Sequence, residues 1–377
     1  MPSLIAIDMP AGQRFVDELK QIWDSGDALL PIDQRLPQFA KNQLLKQLGA
    51  SYLINHHGER LKLEDGFAVG ANDALVIATS GSTGTPKGVV HTHESIRAAI
   101  VAGGSRLECS SADHWLACLS LAHVGGLSVV LRALHYESNL TIEPKAEPTT
   151  IANALNNGAT MTSLVPTIIR RVDVAGFRSV LVGGSEMIDA LPANAIATYG
   201  LSETMGGIAY NGQALDGVSI RISTDDEIQI RGAMLFREYR DGTNPKTHDG
   251  WFATGDLGEL DSHRKLTVLG RRDDLINTGG FKVWPKTVED SINDMAGVTE
   301  CVVRGLPDEN WGTAVCAWIV LENQKRSFNI DAVRLHVKKS LPDYCAPQKL
   351  FIVDQIPRSA LGKVQISELL KLNTLAL

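Results

Sequence analysis

Apolar side chains recur at helical spacing in residues 12–23, where Phe15, Leu19, Ile22 and Trp23 mark one face. Residues 39–48 repeat that theme and stop at Gly49, a residue suited to a helix C-cap. Runs at 52–54 and 60–63 flank a polar His56-His57-Gly58 turn. Residues 1–73 therefore predict helix, loop, helix and hairpin-like pieces. From 74 to about 215 short apolar runs (75–78, 115–119, 139–142, 161–164, 180–182) alternate with helical stretches (93–103, 126–134, 149–156, 167–172). That alternation predicts an α/β layer with a parallel sheet, whose ligand loops lie at the strand C-ends. Strand-like runs at 218–222, 227–231 and 265–269, joined by polar turns, predict a small β-rich module over about 216–270. The charged run 270–274 looks like a hinge. Beyond it come a helix at 285–295, strands at 299–303 and 314–321, a helix at 330–340 and a strand at 350–353. The expected fold is α/β. A large N-terminal domain (1–270) has mainly parallel sheets flanked by helices plus the β-rich module, and a small α+β C-terminal domain (271–377) follows.

Charge narrows the partners. The net charge of −7 leaves no sequence-wide basic footprint, so nucleic acid is not the expected ligand. A small anion needs only a local positive site. The five cysteines, at 109, 118, 301, 316 and 345, form no CxxC pair, which predicts reduced thiols and a cytoplasmic setting. The N-terminus lacks a basic segment followed by an apolar one, and no apolar run is long enough to span a bilayer. Peripheral membrane contact stays open.

The densest chemistry lies in 78–89, ATSGSTGTPKGV, which follows the apolar run 74–78. Its glycines at 81, 84 and 88 permit sharp turns and close approach to a ligand. Hydroxyls, amide N–H groups and the Lys87 ammonium would then converge on an anion. The plainer reading is an exposed linker. The preceding strand and the Pro-Lys-Gly ending weigh against it. A Walker A loop needs Gly-Lys followed by Ser or Thr, whereas Lys87 stands between Pro86 and Gly88.

Four more motifs follow in order: TYGLSET (198–204), GWFATGD (250–256), GRRDDLINTGG (270–280) and PRSALGK (357–363). With the loop at 79–88, this set resembles the adenylate-forming superfamily of acyl-CoA synthetases, peptide-synthetase adenylation domains and luciferases. Stretches 115–134, 162–172 and 199–222 resemble the branch that activates 2-succinylbenzoate for menaquinone synthesis, in its compact form with a short N-terminal region. The resemblance implies an acid–thiol ligase working in two steps. A carboxylate first attacks the α-phosphate of ATP, and coenzyme A then displaces AMP. Because the first step sets a carboxylate against a polyphosphate, charge neutralisation dominates.

The resemblance also implies roles. Thr79, Ser80, Gly81, Ser82, Thr83, Gly84 and Lys87 would hold the β,γ-phosphates. Glu203, beside Ser202, would ligate Mg²⁺, a hard cation that prefers oxygen ligands. Gly183, Gly184, Ser185, Tyr199 and Gly200 would form the adenine slot. Asp256 and Arg271 would bind ribose. Lys363 would bridge the reacting carboxylate and the α-phosphate. The C-terminal domain would be mobile and swing about Asp273, bringing Gly279 and Gly280 to the pantetheine. His123, Gly125, Gly126, Gly206 and Gly207 would line the acyl pocket. Homodimers are common in the family.

Taken singly, these residues have plainer readings. Asp256 after Thr-Gly suits a turn, Glu203 an early helical position, Lys363 a solvated surface, and 271–274 a salt-bridged linker. His123 could be a satisfied structural histidine. The HxH pair His91 and His93 suggests no third metal ligand. Arg132 could attract a second substrate carboxylate or cap the outer face of its helix. The sequence departs from the family at Ala78, Ala122, Thr287 and Ile366. Ala122 replaces an aromatic beside His123 and leaves the pocket shape open. Two other functions stay open: ligation of a different acid, and nucleotide binding without turnover. A P-loop kinase is disfavoured.

Overall fold

The computed structural model describes residues 1–80, 86–184, 191–322, 328–358 and 364–372. The chain divides into two compact units. The first is Met1–Arg221, Gln229–Ala253 and Leu260–Leu266, and the second is Ile222–Ile228, Thr254–Glu259 and Thr267–Leu377.

The α/β layering starts at the fourth residue, not at 74. β1 (Leu4–Ile7), α1 (Gln13–Asp24), β2 (Ala28–Pro31), α2 (Gln38–Leu48), β3 (Tyr52–Ile54), β4 (Arg60–Lys62), β5 (Asp73–Ser80) and β6 (Pro86–Thr92) come first. Their strands lie in one sheet, in the order β6-β5-β2-β1-β3-β4. β5, β2, β1 and β3 run parallel. β1 and β2 are buried at every position. Both faces are covered, so neither strand alternates apolar with polar residues, and sequence periodicity gives no strand signal there. α1 lays Phe15, Val16, Leu19 and Ile22 against this layer.

A second sheet holds β7 (His114–Ala117), β8 (Asn139–Ile142), β9 (Met161–Leu164), β10 (Ser179–Gly183), β11 (Ala195–Leu201), β12 (Gly206–Tyr210) and β13 (Gln213–Ala214). Its order is β13-β12-β11-β10-β9-β7-β8. α3 (His93–Arg106), α4 (Val124–His135), α5 (Pro148–Asn156) and α6 (Pro166–Ile169) intervene along the chain. α3 starts at a capping box in which Thr92 and Ser95 each bond the other's backbone N–H. α6 closes after four residues, shorter than the 167–172 helix expected from the sequence.

β14 (Ser219–Ile222), β15 (Glu227–Arg231), β17 (Phe252–Leu260) and β18 (Leu266–Arg271) form a four-stranded sheet. Between them in sequence, β16 (Glu238–Tyr239) leaves to pair with β6 at the edge of the first sheet. The second unit holds the hairpin β19 (Ile276–Thr278) and β20 (Phe281–Val283), then α7 (Pro285–Asn293), β21 (Val298–Asp308), β22 (Gly312–Leu321), α8 (Ile330–Val337), β23 (Lys349–Ile352) and α9 (Ile366–Leu369). Its three-stranded sheet β21-β22-β23 covers one face with α7 and α8, through Val288, Ile292, Val333 and Val337. Trp318, Phe351 and Leu369 cluster separately. Among the described residues no helix is long and apolar enough to cross a membrane.

Candidate active site

β5 and β6 form the antiparallel stem of the glycine-rich loop, with Thr79 opposite Lys87 and Ser80 ending β5. The Thr79 hydroxyl donates to the Lys87 carbonyl at 3.3 Å. Gly81, Ser82, Thr83, Gly84, Ser185 and Lys363 lie outside the described residues. Lys87 is exposed, and its ammonium stands 5.0 Å from the centre of the Tyr239 ring. That spacing suits a cation–π contact. The Tyr239 hydroxyl in turn donates to Glu203 Oε1 at 2.9 Å. Lys87 and Glu203, from distant segments, are thus tied through one side chain. The sheet explains this: β16 pairs with β6 so that Tyr239 faces Val89, two residues beyond Lys87.

Glu203 sits in a tight turn, Ser202–Thr204, not in an α-helix. Two contacts fix that turn. Phe236 N donates to the Glu203 carbonyl at 2.8 Å, and the Ser202 carbonyl lies 2.7 Å from Nε2 of buried His91. A carbonyl only accepts, so His91 carries its proton on Nε2 and presents Nδ1 to Ser95 Oγ at 3.1 Å. Burial, helped by the Lys246 charge, lowers the His91 pKa to about 4, against the Ser202 hydrogen bond that raises it. His91 is therefore a neutral strut joining the loop stem to the Glu203 turn. His93 instead packs edge-on against Trp23.

Several glycines of the second sheet sit against close neighbours: a Cβ on Gly183 would lie 2.8 Å from Thr198 Oγ1, and one on Gly207 2.7 Å from the Tyr210 ring. Gly183 ends β10, and Gly184 follows it with φ of 132°. Tyr199 and Gly200 lie on β11 where its ladder with β12 slips by one residue. A Cβ on Gly200 would fall 1.9 Å from the Gly206 carbonyl oxygen, so only glycine fits. One on Gly206 would point toward Ser128 of α4, 3.9 Å from its Oγ, and Gly207 pairs with Gly200.

His123 caps the start of α4, its carbonyl accepting from Leu127 N at 3.0 Å. A Cβ on Gly125 would make only an ordinary contact with Leu119 at 3.8 Å, whereas one on Gly126 would meet the Ser120 carbonyl oxygen at 2.4 Å. Farther along α4, Arg132 is only 4 % exposed, which corrects the reading that it caps the helix's outer face. Its guanidinium lies 5.4 Å over the Trp115 ring. Arg132 Nε and Nη1 and the buried Tyr210 hydroxyl have no hydrogen-bond partner among the described residues. A Cβ on Gly103 would lie 2.8 Å from that hydroxyl and 3.5 Å from Arg132 Nε, so both polar groups face the same backbone.

Within the second unit, Asp256 on β17 accepts from Arg271 Nη1 at 3.0 Å, which also donates to the Thr254 carbonyl at 3.1 Å. The two residues expected at ribose therefore meet. Asp273 lies in the exposed turn Arg272–Asp274. Gly279 and Gly280 turn the β19–β20 hairpin with φ of 55° and 85°. Gly279 N donates to the Trp311 carbonyl at 2.9 Å.

Sequence reading missed Tyr239 and Asp33, the latter a partner of His123, and it gave His91 no role beyond the absence of a metal. Tyr239 sits in an ordinary REYR run and Asp33 after an apolar strand. Only the strand pairing places them, so no local motif could have found either.

The AMP-binding enzyme family matches residues 64–232, and the AMP-binding enzyme C-terminal domain matches residues 287–363. The chain is 36% identical over 323 residues to a Mycobacterium tuberculosis protein named "Probable 2-succinylbenzoate–CoA ligase", covering 79% of this chain and 84% of that one. It is 27% identical over 391 residues to the 2-succinylbenzoate–CoA ligase of Bacillus subtilis, covering 94% and 80%. Among solved structures, MatB from Rhodopseudomonas palustris with ATP bound superposes with a TM-score of 0.86 at 22% identity, over 98% of this chain and 88% of that one. The Bacillus subtilis o-succinylbenzoate CoA synthetase (MenE), in complex with the acyl-adenylate OSB-AMP, gives 0.83 at 24%, over 97% and 88%. At these identities the structures speak for the fold, and the sequence relatives carry the family. The chain belongs to the AMP-binding, adenylate-forming enzymes.

Proposed function

We propose that the protein is an ATP- and Mg²⁺-dependent acid–CoA ligase that makes 2-succinylbenzoyl-CoA for menaquinone synthesis, acting in the cytoplasm as a homodimer. The observation that carries it is the Lys87–Tyr239–Glu203 array, which ties a cation at the stem of a glycine-rich loop to a carboxylate. Such a pair suits a magnesium–polyphosphate ligand. Lys87 with Thr79, Ser80 and the loop hydroxyls would meet the β,γ-phosphates. Glu203 supplies the hard oxygen that Mg²⁺ requires, and the bound cation would neutralise phosphate charge. The substrate carboxylate attacks the α-phosphorus and pyrophosphate leaves. The coenzyme A thiol, losing its proton, then attacks the acyl carbon and AMP departs.

Asp256 and Arg271 would take the ribose hydroxyls. Gly183, Gly184, Ser185, Tyr199 and Gly200 would take adenine. Lys363 would stabilise charge on the reacting carboxylate and α-phosphate. Movement about Asp273 would bring Gly279 and Gly280 to the pantetheine for the second step. His123, Gly125, Gly126, Gly206 and Gly207 would surround the acyl group.

Arg132 favours a dicarboxylic acid. A buried guanidinium with unpartnered N–H groups is costly unless an anion meets it. The free carboxylate of succinylbenzoate answers that need, and the relatives named for this acid support the choice. The test is pyrophosphate release with a panel of acids. Succinylbenzoate should give the highest kcat/KM, and its failure to release pyrophosphate refutes the assignment. Lys363→Ala should abolish adenylation while sparing thioester formation from pre-made adenylate.

A further inference from the structure

We infer that Asp33, held by Arg35, is a positioning residue that fixes the ring of His123 at the acyl site. The inference rests on the proposed placement of His123 at that site. Asp33 follows β2, an interior strand of the first sheet, just past buried Ile32. Ile32 N bonds the Ile7 carbonyl at 3.0 Å, and Leu36 N bonds the Asp33 carbonyl at 3.1 Å. The residue before Asp33 is thus bonded to the sheet, and Asp33 itself closes a local turn with Leu36. Its carboxylate is 13% exposed and lies 3.0 Å from His123 Nε2.

Three donors from Arg35 lock that carboxylate. The guanidinium gives Nε to Oδ1 at 2.8 Å and Nη2 to Oδ2 at 2.6 Å, and the Arg35 backbone N reaches Oδ1 at 3.0 Å. A forked guanidinium contact of this kind fixes orientation as well as charge. An ionised carboxylate only accepts, so His123 must carry a proton on Nε2. In the neutral ring Nδ1 is left as the lone-pair atom. The histidine's backbone is pinned as well, by Ser120 on one side and Gly126 and Leu127 on the other. Backbone and ring are then both set before any substrate arrives. A second carboxylate–cation pair, Asp8 with Lys41 at 2.7 Å, has no hydrogen bond to His123 among the described residues and serves as a control.

Misplacing a substrate-facing group by about 1 Å can cost on the order of 100-fold, so Asp33→Ala should lower kcat/KM for the acid about 10- to 100-fold. The KM for ATP should change far less. A double-mutant cycle with His123→Gln separates positioning from general destabilisation. If Asp33 acts through His123, Asp33→Ala adds almost nothing in the His123→Gln background. Should Asp33→Ala not fold, the isosteric Asp33→Asn enters the same cycle. Long-range ¹H–¹⁵N spectra, with His123 assigned by its loss in His123→Gln, should show the Nε2–H form in the parent and a mixture in Asp33→Ala. Asp8→Asn should leave the His123 signals and kcat/KM unchanged. Additive losses in the cycle, or an unchanged His123 tautomer in the Asp33 variant, overturn the inference. Full activity of His123→Gln instead removes the acyl-site placement beneath it, leaving the ligase assignment to the pyrophosphate assay.

Discussion

His91 makes the Glu203 turn sensitive to acid, and the sign follows from its buried neutral ring. The ring is fully buried and its pKa falls to about 4 from an ordinary 6.5, first through burial. Between those values the opened segment binds a proton that the folded one refuses. The stabilisation is therefore complete above pH 6.5 and is lost as pH falls toward 4. Proton linkage with these two values removes about 2 kcal/mol of local stability between pH 7 and pH 5. The loss should concentrate in β6, the start of α3 and the Ser202–Thr204 turn, because His91 bonds Ser202 and Ser95 directly. Hydrogen exchange of peptides from these segments, corrected for the intrinsic pH dependence, reads the local opening free energy and needs no two-state unfolding of the whole chain. His91→Gln keeps an N–H of suitable reach but cannot titrate. It should lower the opening free energy by about 1 kcal/mol at neutral pH, the typical value of one hydrogen bond, and flatten the acid dependence. If the parent's β6 peptide opens no more readily at pH 5 than at pH 7, the reasoning fails. It fails equally if His91→Gln shows the same slope as the parent.

Three shorter predictions concern the first unit. Tyr239→Phe removes the hydroxyl that holds Glu203, a bond to a charged group worth about 1.5 kcal/mol, and should raise the half-saturating Mg²⁺ concentration about tenfold in pyrophosphate release. The ring beneath Lys87 remains, so the KM for ATP at saturating Mg²⁺ should move less. Gly200→Ala drives a methyl onto the Gly206 carbonyl oxygen and should destabilise by about 2 kcal/mol or more, seen as a lower Tm together with lost ATP binding. Arg237→Ala leaves Asp73, 1% exposed, without its bidentate partner. Because Arg237 is itself 38% exposed, the cost should fall below the 3–5 kcal/mol of a fully buried pair, at about 2 kcal/mol by thermal melting.

What could be read from the sequence divides along a physical line. The runs 79–88, 198–204 and 250–256 were legible as motifs because the neighbours within each suit the same chemistry. β1 and β2 were not, since LIAI and ALLP are buried on every side and a fully buried strand has no period to detect. β11 and β12 were hidden for another reason: Tyr199, Gly200, Gly206 and Gly207 read as motif, and glycine weakens any strand signal. Arg132 shows the limit of helical phase. Counting along 126–134 leaves two faces open, and only the fold reveals that α4 is covered at that position. Tyr239 and Asp33 were least visible, because their importance is conferred by strand order. β16 at the edge beside β6 delivers a tyrosine to Lys87 and Glu203, and the interior strand β2 delivers a carboxylate to His123. Chemistry carried by neighbours in sequence is thus readable one chain at a time, whereas the groups that orient it are supplied by the sheet and become visible only once its strands are ordered.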